Sequence, residues 1–176
     1  MPRHLLTWLL PFVLFTLAVG CDRENRALNQ LPPREPLEVA PRIPPAMKAM
    51  GQLVYVPVYS SIQEGQKGRL FHLSAHLSVR NISQKNSIVL AVADYYDSNG
   101  KQVRRLLEAP VKLGPMASTD FFIRSNDLAG VTGASFLVEW EAENPTAPPV
   151  VQAVMLGTNG GQGISFVTNG LPVDSH

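Results

Sequence analysis

Phe71-His72-Leu73-Ser74-Ala75-His76-Leu77-Ser78-Val79-Arg80 alternates apolar and polar side chains without a fault. Successive side chains of a strand point to opposite faces. A period of two therefore predicts a strand with Leu73, Ala75, Leu77 and Val79 buried and His72, His76, Ser78 and Arg80 wet. An α-helix would scatter those apolar residues around its axis. A strand wet on one side belongs to an antiparallel sheet, whose apolar side needs a second layer to cover it.

Outward from this stretch the same chemistry recurs. Leu53-Val-Tyr-Val-Pro-Val-Tyr59 is β-branched and aromatic, and Pro57 within it predicts an edge strand or a bulge. Ile88 to Tyr96 is apolar on both faces, as in a central strand. Asp97-Ser-Asn-Gly100 supplies turn chemistry, and Lys101 to Leu107 returns as the second arm of a hairpin. Leu113-Gly-Pro115 breaks the chain before Thr119 to Arg124; Phe136, Val138 and Trp140 then alternate with Leu137, Glu139 and Glu141. Val150 to Leu156 and Ile164 to Thr168 complete the set. Short strands separated by turn signals, with no amphipathic helix, predict an all-β fold. The expected form is an immunoglobulin-like antiparallel β-sandwich of about seven to eight strands. A small barrel is the alternative. The single cysteine, Cys21, excludes the intersheet disulfide of antibody domains, so Trp140 is expected to anchor the core alone.

The chain before this domain reads as an address and a tether. Arg3 and His4 precede an uncharged apolar run from Leu5 to Gly20 that is interrupted by Pro11. A basic start, a short apolar run and small residues before a cut predict a signal peptide over residues 1–20. A transmembrane helix needs about 20 apolar residues. Leu17-Ala18-Val19-Gly20-Cys21 resembles a bacterial lipobox, in which the cysteine thiol takes a diacylglyceryl group and becomes the new N-terminus. Ala18-Val19-Gly20 also suits the ordinary signal peptidase, which would cut the same bond. The sole cysteine at that bond favours lipidation of Cys21, and acyl chains bury about 0.8 kcal/mol per methylene in a membrane. The expected location is the bacterial cell envelope, on the outer side of a membrane; Asp22 hints at the inner membrane. Residues 21–50, with six prolines between Pro32 and Pro45, read as an extended tether too poor in apolar residues to fold. The domain is expected over 51–170, with 171–176 as a tail.

Several motifs taken together carry a family resemblance: Leu53-Val-Tyr-Val-Pro-Val-Tyr59, Leu77-Ser-Val-Arg-Asn81, Asp94-Tyr-Tyr-Asp97 with Gly100, Leu113-Gly-Pro115, Phe136-Leu-Val-Glu-Trp140 and Gly163-Ile-Ser-Phe166. The chain resembles an uncharacterised bacterial lipoprotein family, catalogued as a domain of unknown function, from about Gly51 to Thr168. The resemblance implies an address and domain limits, and no catalytic activity.

Composition narrows the function further. Fifteen Lys and Arg stand against fourteen Asp and Glu, and no basic cluster exceeds Arg104-Arg105, so a nucleic-acid partner is not expected. His72 and His76, about 13 Å apart along a strand, are badly placed to share a metal. Glu139 and Glu141 share a strand face at about 6.6 Å, a spacing compatible with a glycosidase pair. Glu143 continues their row, which predicts a solvated face instead. Asn159, Gly160, Gly161 and Gln162 lie in a glycine-rich loop that lacks the Lys-Ser/Thr and the helix of a phosphate site. As a loop segment they form a ligand-binding candidate. Asp94, in an apolar strand, needs a partner such as Arg80 or Arg104. Asn81-Ile82-Ser83 is a chance sequon. No metal, cofactor or catalytic residue is expected. The expected function is a lipid-anchored envelope protein that binds a protein partner or ligand near the membrane. The alternative is an envelope hydrolase or carbohydrate-active enzyme using Glu139 and Glu141.

Overall fold

The computed structural model describes residues 36–65, 68–130 and 132–173, with Asn159 described by its backbone only. The expected signal peptide, Cys21 and the tether as far as residue 35 lie outside the described residues, as do 174–176. In chain order the strands are β1 (Glu38–Val39), β2 (Met50–Val58), β3 (Ser61–Glu64), β4 (Arg69–His72), β5 (Ser74–Arg80), β6 (Ile88–Tyr96) and β7 (Gln102–Arg105). They continue as β8 (Val111–Leu113), β9 (Ser118–Ile123), β10 (Ala134–Ala142), β11 (Val150–Asn159), β12 (Gln162–Asn169) and β13 (Leu171–Val173). The one helical turn among the described residues is a 3₁₀ turn at Pro45–Met47. Seven of the strands have six residues or more, and each falls on a stretch read as a strand from the sequence; the rest have two to four residues.

All pairings are antiparallel and form two open layers, so the sandwich reading holds and the barrel alternative falls. One sheet runs β1-β8-β6-β10-β2-β13, with β7 on the β6 edge beside β8; the other runs β12-β11-β5-β9. A separate hairpin, β3-β4, stands beyond them. The predicted strand over residues 71–80 breaks in two at Leu73, whose N–H bonds the Ser60 carbonyl at 2.8 Å. Its parity survives the break: Leu73, Ala75, Leu77 and Val79 are buried, while His72, His76 and Arg80 are exposed.

The two inner faces make one core. Register places Val54, Val56 and Val58 of β2 beside Val138, Phe136 and Ala134 of β10, and these beside Ala93 and Tyr95 of β6. Against them pack Leu77 and Val79 of β5, and Ala153 and Met155 of β11. Trp140 is among the largest buried side chains, as expected of a sandwich without a disulfide. The Tyr95 hydroxyl, whose pKa burial pushes up, meets Ser60 Oγ at 2.6 Å. At these sizes, each fully buried side chain contributes about 1.5–3 kcal/mol.

Pro57 lies in an inner strand, yet its lost N–H costs the sheet nothing. Leu53 and Tyr55 face β13, and Pro57 is next in that row, beyond the last β13 partner at Leu171. Its carbonyl points the same way and accepts a 2.6 Å bond from Thr168 Oγ1. The edge character read from Pro57 is thus local to the uncovered end of β2.

The folded unit is longer than the sequence reading places it, running from Leu37 through the end of β13. At the front, Glu38 and Val39 pair with Lys112 and Val111, and Ala40 N–H bonds the Pro110 carbonyl at 2.9 Å. Ile43 is buried, and Ala49 N–H bonds the Ala142 carbonyl at 2.9 Å. The tether reading therefore fails from Leu37 onward: Leu37, Ile43 and Met50 dock on the domain while Val39 and Met47 stay exposed, and the prolines suit an edge where no N–H is required. At the back, Leu171–Val173 is a strand on β2 and not a tail.

Candidate functional site

The outer face of the four-stranded sheet follows from parity. If Leu77, Ala153 and Met155 face inward, their neighbours in sequence face out. Register then aligns Val167 of β12, Val154 of β11, His76 of β5 and Phe122 of β9 in one row across all four strands. Phe122 is 49% exposed and Val167 54%. Leu156, outward on β11 and also exposed, widens the row. The His76 and Phe122 rings lie 4.4 Å apart at a 40° tilt. Aligned apolar side chains in water are unlike scattered ones, because their exposure is contiguous and can be covered by a single partner surface. The sequence reading missed this row. Its signal was the apolar content of Val150 to Leu156 on both parities, which needed the register to become a surface.

Beside this row a shallow cleft of about 450 Å³ is lined by Leu70, Phe71, His72, Ser74, Ser125, Leu156, Gly157 and Thr158. Gly157 forms part of its lining for a steric reason. A β-carbon there would stand 2.5 Å from Phe71 Cε1 and 2.8 Å from the His72 carbonyl. The glycine-rich segment beyond is a tight hairpin: Asn159 pairs with Gln162, and Gly160 and Gly161 turn the chain at φ of +57° and +84°. Two consecutive residues at positive φ make the two-residue turn that matches strand twist, which accounts for both glycines. Gln162 also borders a smaller cleft of about 320 Å³ shared with Ile62, Gln63, Glu64, Phe71 and Ile164.

The acidic pair occupies the outer face of the other sheet and is not a solvated row. Glu141 is 2% exposed. Its cover is the segment preceding β2. Arg42 Nε and Nη2 donate to Glu141 Oε1 at 3.2 and 2.7 Å, and Ile43 N–H donates to Oε2 at 2.9 Å. Arg42 Nη2 also donates to Glu139 Oε1, and Lys48 Nζ stands 3.7 Å from Glu141 Oε1. Burial pushes the Glu141 carboxyl up. The Arg42 hydrogen bond, the Ile43 N–H and the charges of Arg42 and Lys48 outweigh it and hold the group below the ordinary glutamate value. Arg42 in turn is raised, chiefly by its bond to Glu141. Sequence reasoning had the parity of Glu141 right and its environment wrong, because the covering residues lie about a hundred positions away.

Asp94 is buried as expected, but its partner is Arg105, with Nε 3.8 Å from Oδ1. Neither anticipated partner serves: Arg80 is on the other sheet, and Arg104 bonds Asp127 at 2.7 Å. A one-residue irregularity between Tyr95 and Tyr96 moves the β7 register and sets Arg105 opposite Asp94. Asn81, read as part of a chance sequon, is a buried organiser of the β5–β6 corner. Its Nδ2 donates to the carbonyls of Asn86, Leu113 and Gly114 at 2.9–3.1 Å, and its Oδ1 accepts from Ser83 N–H at 3.0 Å. Among the described residues no group of three or more His, Cys, Asp or Glu is placed to hold a metal ion.

No curated protein matches the chain. It is similar to the crystal structure of Thermotoga maritima 1070 at 17% identity and a TM-score of 0.41, over 68% of this chain and 92% of that one. The family described as "Protein of unknown function (DUF3124)" matches residues 51–173, so that the span of the quoted motifs lies within it and the chain belongs to the DUF3124 family.

Proposed function

We propose that this protein is a lipid-anchored envelope protein whose sandwich binds a protein partner or ligand near the membrane and catalyses no reaction. Cys21 supplies the anchor. The observation that carries the binding reading is the row Val167–Val154–His76–Phe122 with Leu156 beside it, an aligned apolar strip on a sheet face that none of the described residues covers. A sandwich hosts many functions, so the argument rests on this surface and not on the fold.

The hydrolase alternative draws less support. A glycosidase pair needs one carboxyl protonated near neutral pH and a second free to attack or to activate water. Here Glu139 and Glu141 converge on one guanidinium, and Glu141 is held ionised under the Ile43 backbone.

The test is affinity purification of the tagged full-length protein from detergent-solubilised envelopes, beside Val154→Asp and Phe122→Asp variants. The proposal expects a protein or ligand retained by the wild type and lost from both variants, with folding intact because both positions face water. Retention of the same material by all three would refute the assigned face. Glycan hydrolysis abolished by Glu139→Gln would establish the enzyme instead.

A further inference from the structure

A sheet edge is a row of unpaired N–H and C=O groups, and soluble proteins guard such edges with charge, proline or brevity. The described edges of this fold can be compared one by one. β1 has two residues, one of them Glu38, and lies between Pro36 and Pro41. β7 carries Arg104 and Arg105, β13 carries Pro172, the β3-β4 hairpin carries Glu64 and Arg69, and β9 carries Asp120. β12 has none of these devices: Gln162-Gly-Ile-Ser-Phe-Val-Thr-Asn169 is eight residues long, uncharged and free of proline.

Its free groups can be assigned. The hairpin turn at Gly160-Gly161 makes Asn159 and Gln162 a hydrogen-bonded pair, so Gln162, Ile164, Phe166 and Thr168 direct their backbone bonds to β11. Gly163, Ser165, Val167 and Asn169 direct theirs away from the sheet, and all four residues are exposed. Among the described residues, β11 is the one strand paired to β12.

We propose that the β12 edge joins β12 of a second copy of this chain, in antiparallel pairing about a two-fold axis. Antiparallel pairing of identical strands is self-complementary by symmetry. The electrostatics select this occupant. With no charge along β12, two copies oppose no like charges in any antiparallel register. The register that engages every outward residue pairs Gly163 with Asn169 and Ser165 with Val167 of the second copy, and it sets Phe166 on the axis. The two four-stranded sheets then become one, and the row containing Val167 and Val154 continues across the axis. This inference rests on backbone groups at an edge and is independent of the partner assigned to the sheet face.

The experiment is cysteine crosslinking of the full-length protein in isolated membranes with a short bismaleimide. Ser165→Cys is compared with Ser118→Cys, which lies on the opposite edge strand of the same sheet, and with the wild type, which reports any adduct through Cys21. In the proposed register Ser165 is diagonal to its copy, at about 7–8 Å between backbones. We expect a Ser165→Cys adduct at twice the subunit mass, at least tenfold above Ser118→Cys and the wild type. Adding Val167→Pro should abolish it, since that N–H points away from β11 and its removal leaves the intramolecular ladder intact. Unchanged circular dichroism of Val167→Pro verifies the fold. No adduct above the two controls would overturn the proposal, as would an adduct that survives Val167→Pro in a folded protein. An adduct to a chain of a different mass would overturn the second copy as occupant.

Discussion

Arg42→Ala removes the hinge pin of the segment that precedes β2. In the wild type Glu141 receives two Arg42 hydrogen bonds at 3.2 and 2.7 Å, the Ile43 N–H at 2.9 Å, and the Lys48 charge at 3.7 Å. Removing one partner of a buried ion pair costs about 3–5 kcal/mol, because the other charge stays buried. Two features reduce that here: Lys48 and Ile43 remain, and Arg42 is itself half-exposed and screened. We therefore expect a loss of about 2 kcal/mol at pH 7. Protease sensitivity between Leu37 and Ala49 should increase as well, because Ile43 and the β1 pairing are local to the freed segment. The pH dependence has a definite sign. A carboxyl held below its unfolded value contributes stability that is fully present above about pH 4.3 and is lost as pH falls through the folded value. Urea melts of wild type and Arg42→Ala at a series of pH values should therefore show a gap that closes below about pH 4.3. A gap under about 0.5 kcal/mol at pH 7, or one unchanged at pH 3, would refute the reasoning.

Two further substitutions test the sandwich. Leu77→Asp buries a carboxylate among Val56-side core residues with no prepared partner and should cost several kcal/mol, roughly enough to unfold a domain of ordinary stability, whereas Ser78→Asp on the outer face should change it by less than about 1 kcal/mol; equal effects in denaturant melts would contradict the parity. Asn81→Ala removes the donor to three carbonyls and should cost about 2–3 kcal/mol by the same measurement, with Asn81→Asp no better, because a carboxylate cannot donate.

What the sequence discloses here depends on the range of the interaction. Alternation is local, so the parity of Leu73 to Val79, the two-sided burial of Ile88 to Tyr96 and the Asp97 turn are all legible. In that turn Asp97 Oδ1 accepts from Asn99 and Lys101 N–H at 2.9 Å, as its residue types suggest. Register is less local. Asp94 meets Arg105 and not Arg104 because one residue of β7 is left over, and no periodicity announces such a bulge. Covering contacts are least legible of all. Glu141 sits in a row of alternating acids that reads as wet, and only a docked Arg42-Ile43 makes it buried. The outer row on β12, β11, β5 and β9 is similar: Val167, Val154, His76 and Phe122 come from four segments, and their alignment exists only once the strands are paired.

The anchor on Cys21 is the claim on which the proposed function most depends, and metabolic labelling with a palmitate analogue in the full-length protein tests it directly. The account predicts label on the wild type in the membrane fraction, and loss of both label and membrane retention in Cys21→Ser. An unlabelled wild-type protein released in soluble form would contradict it.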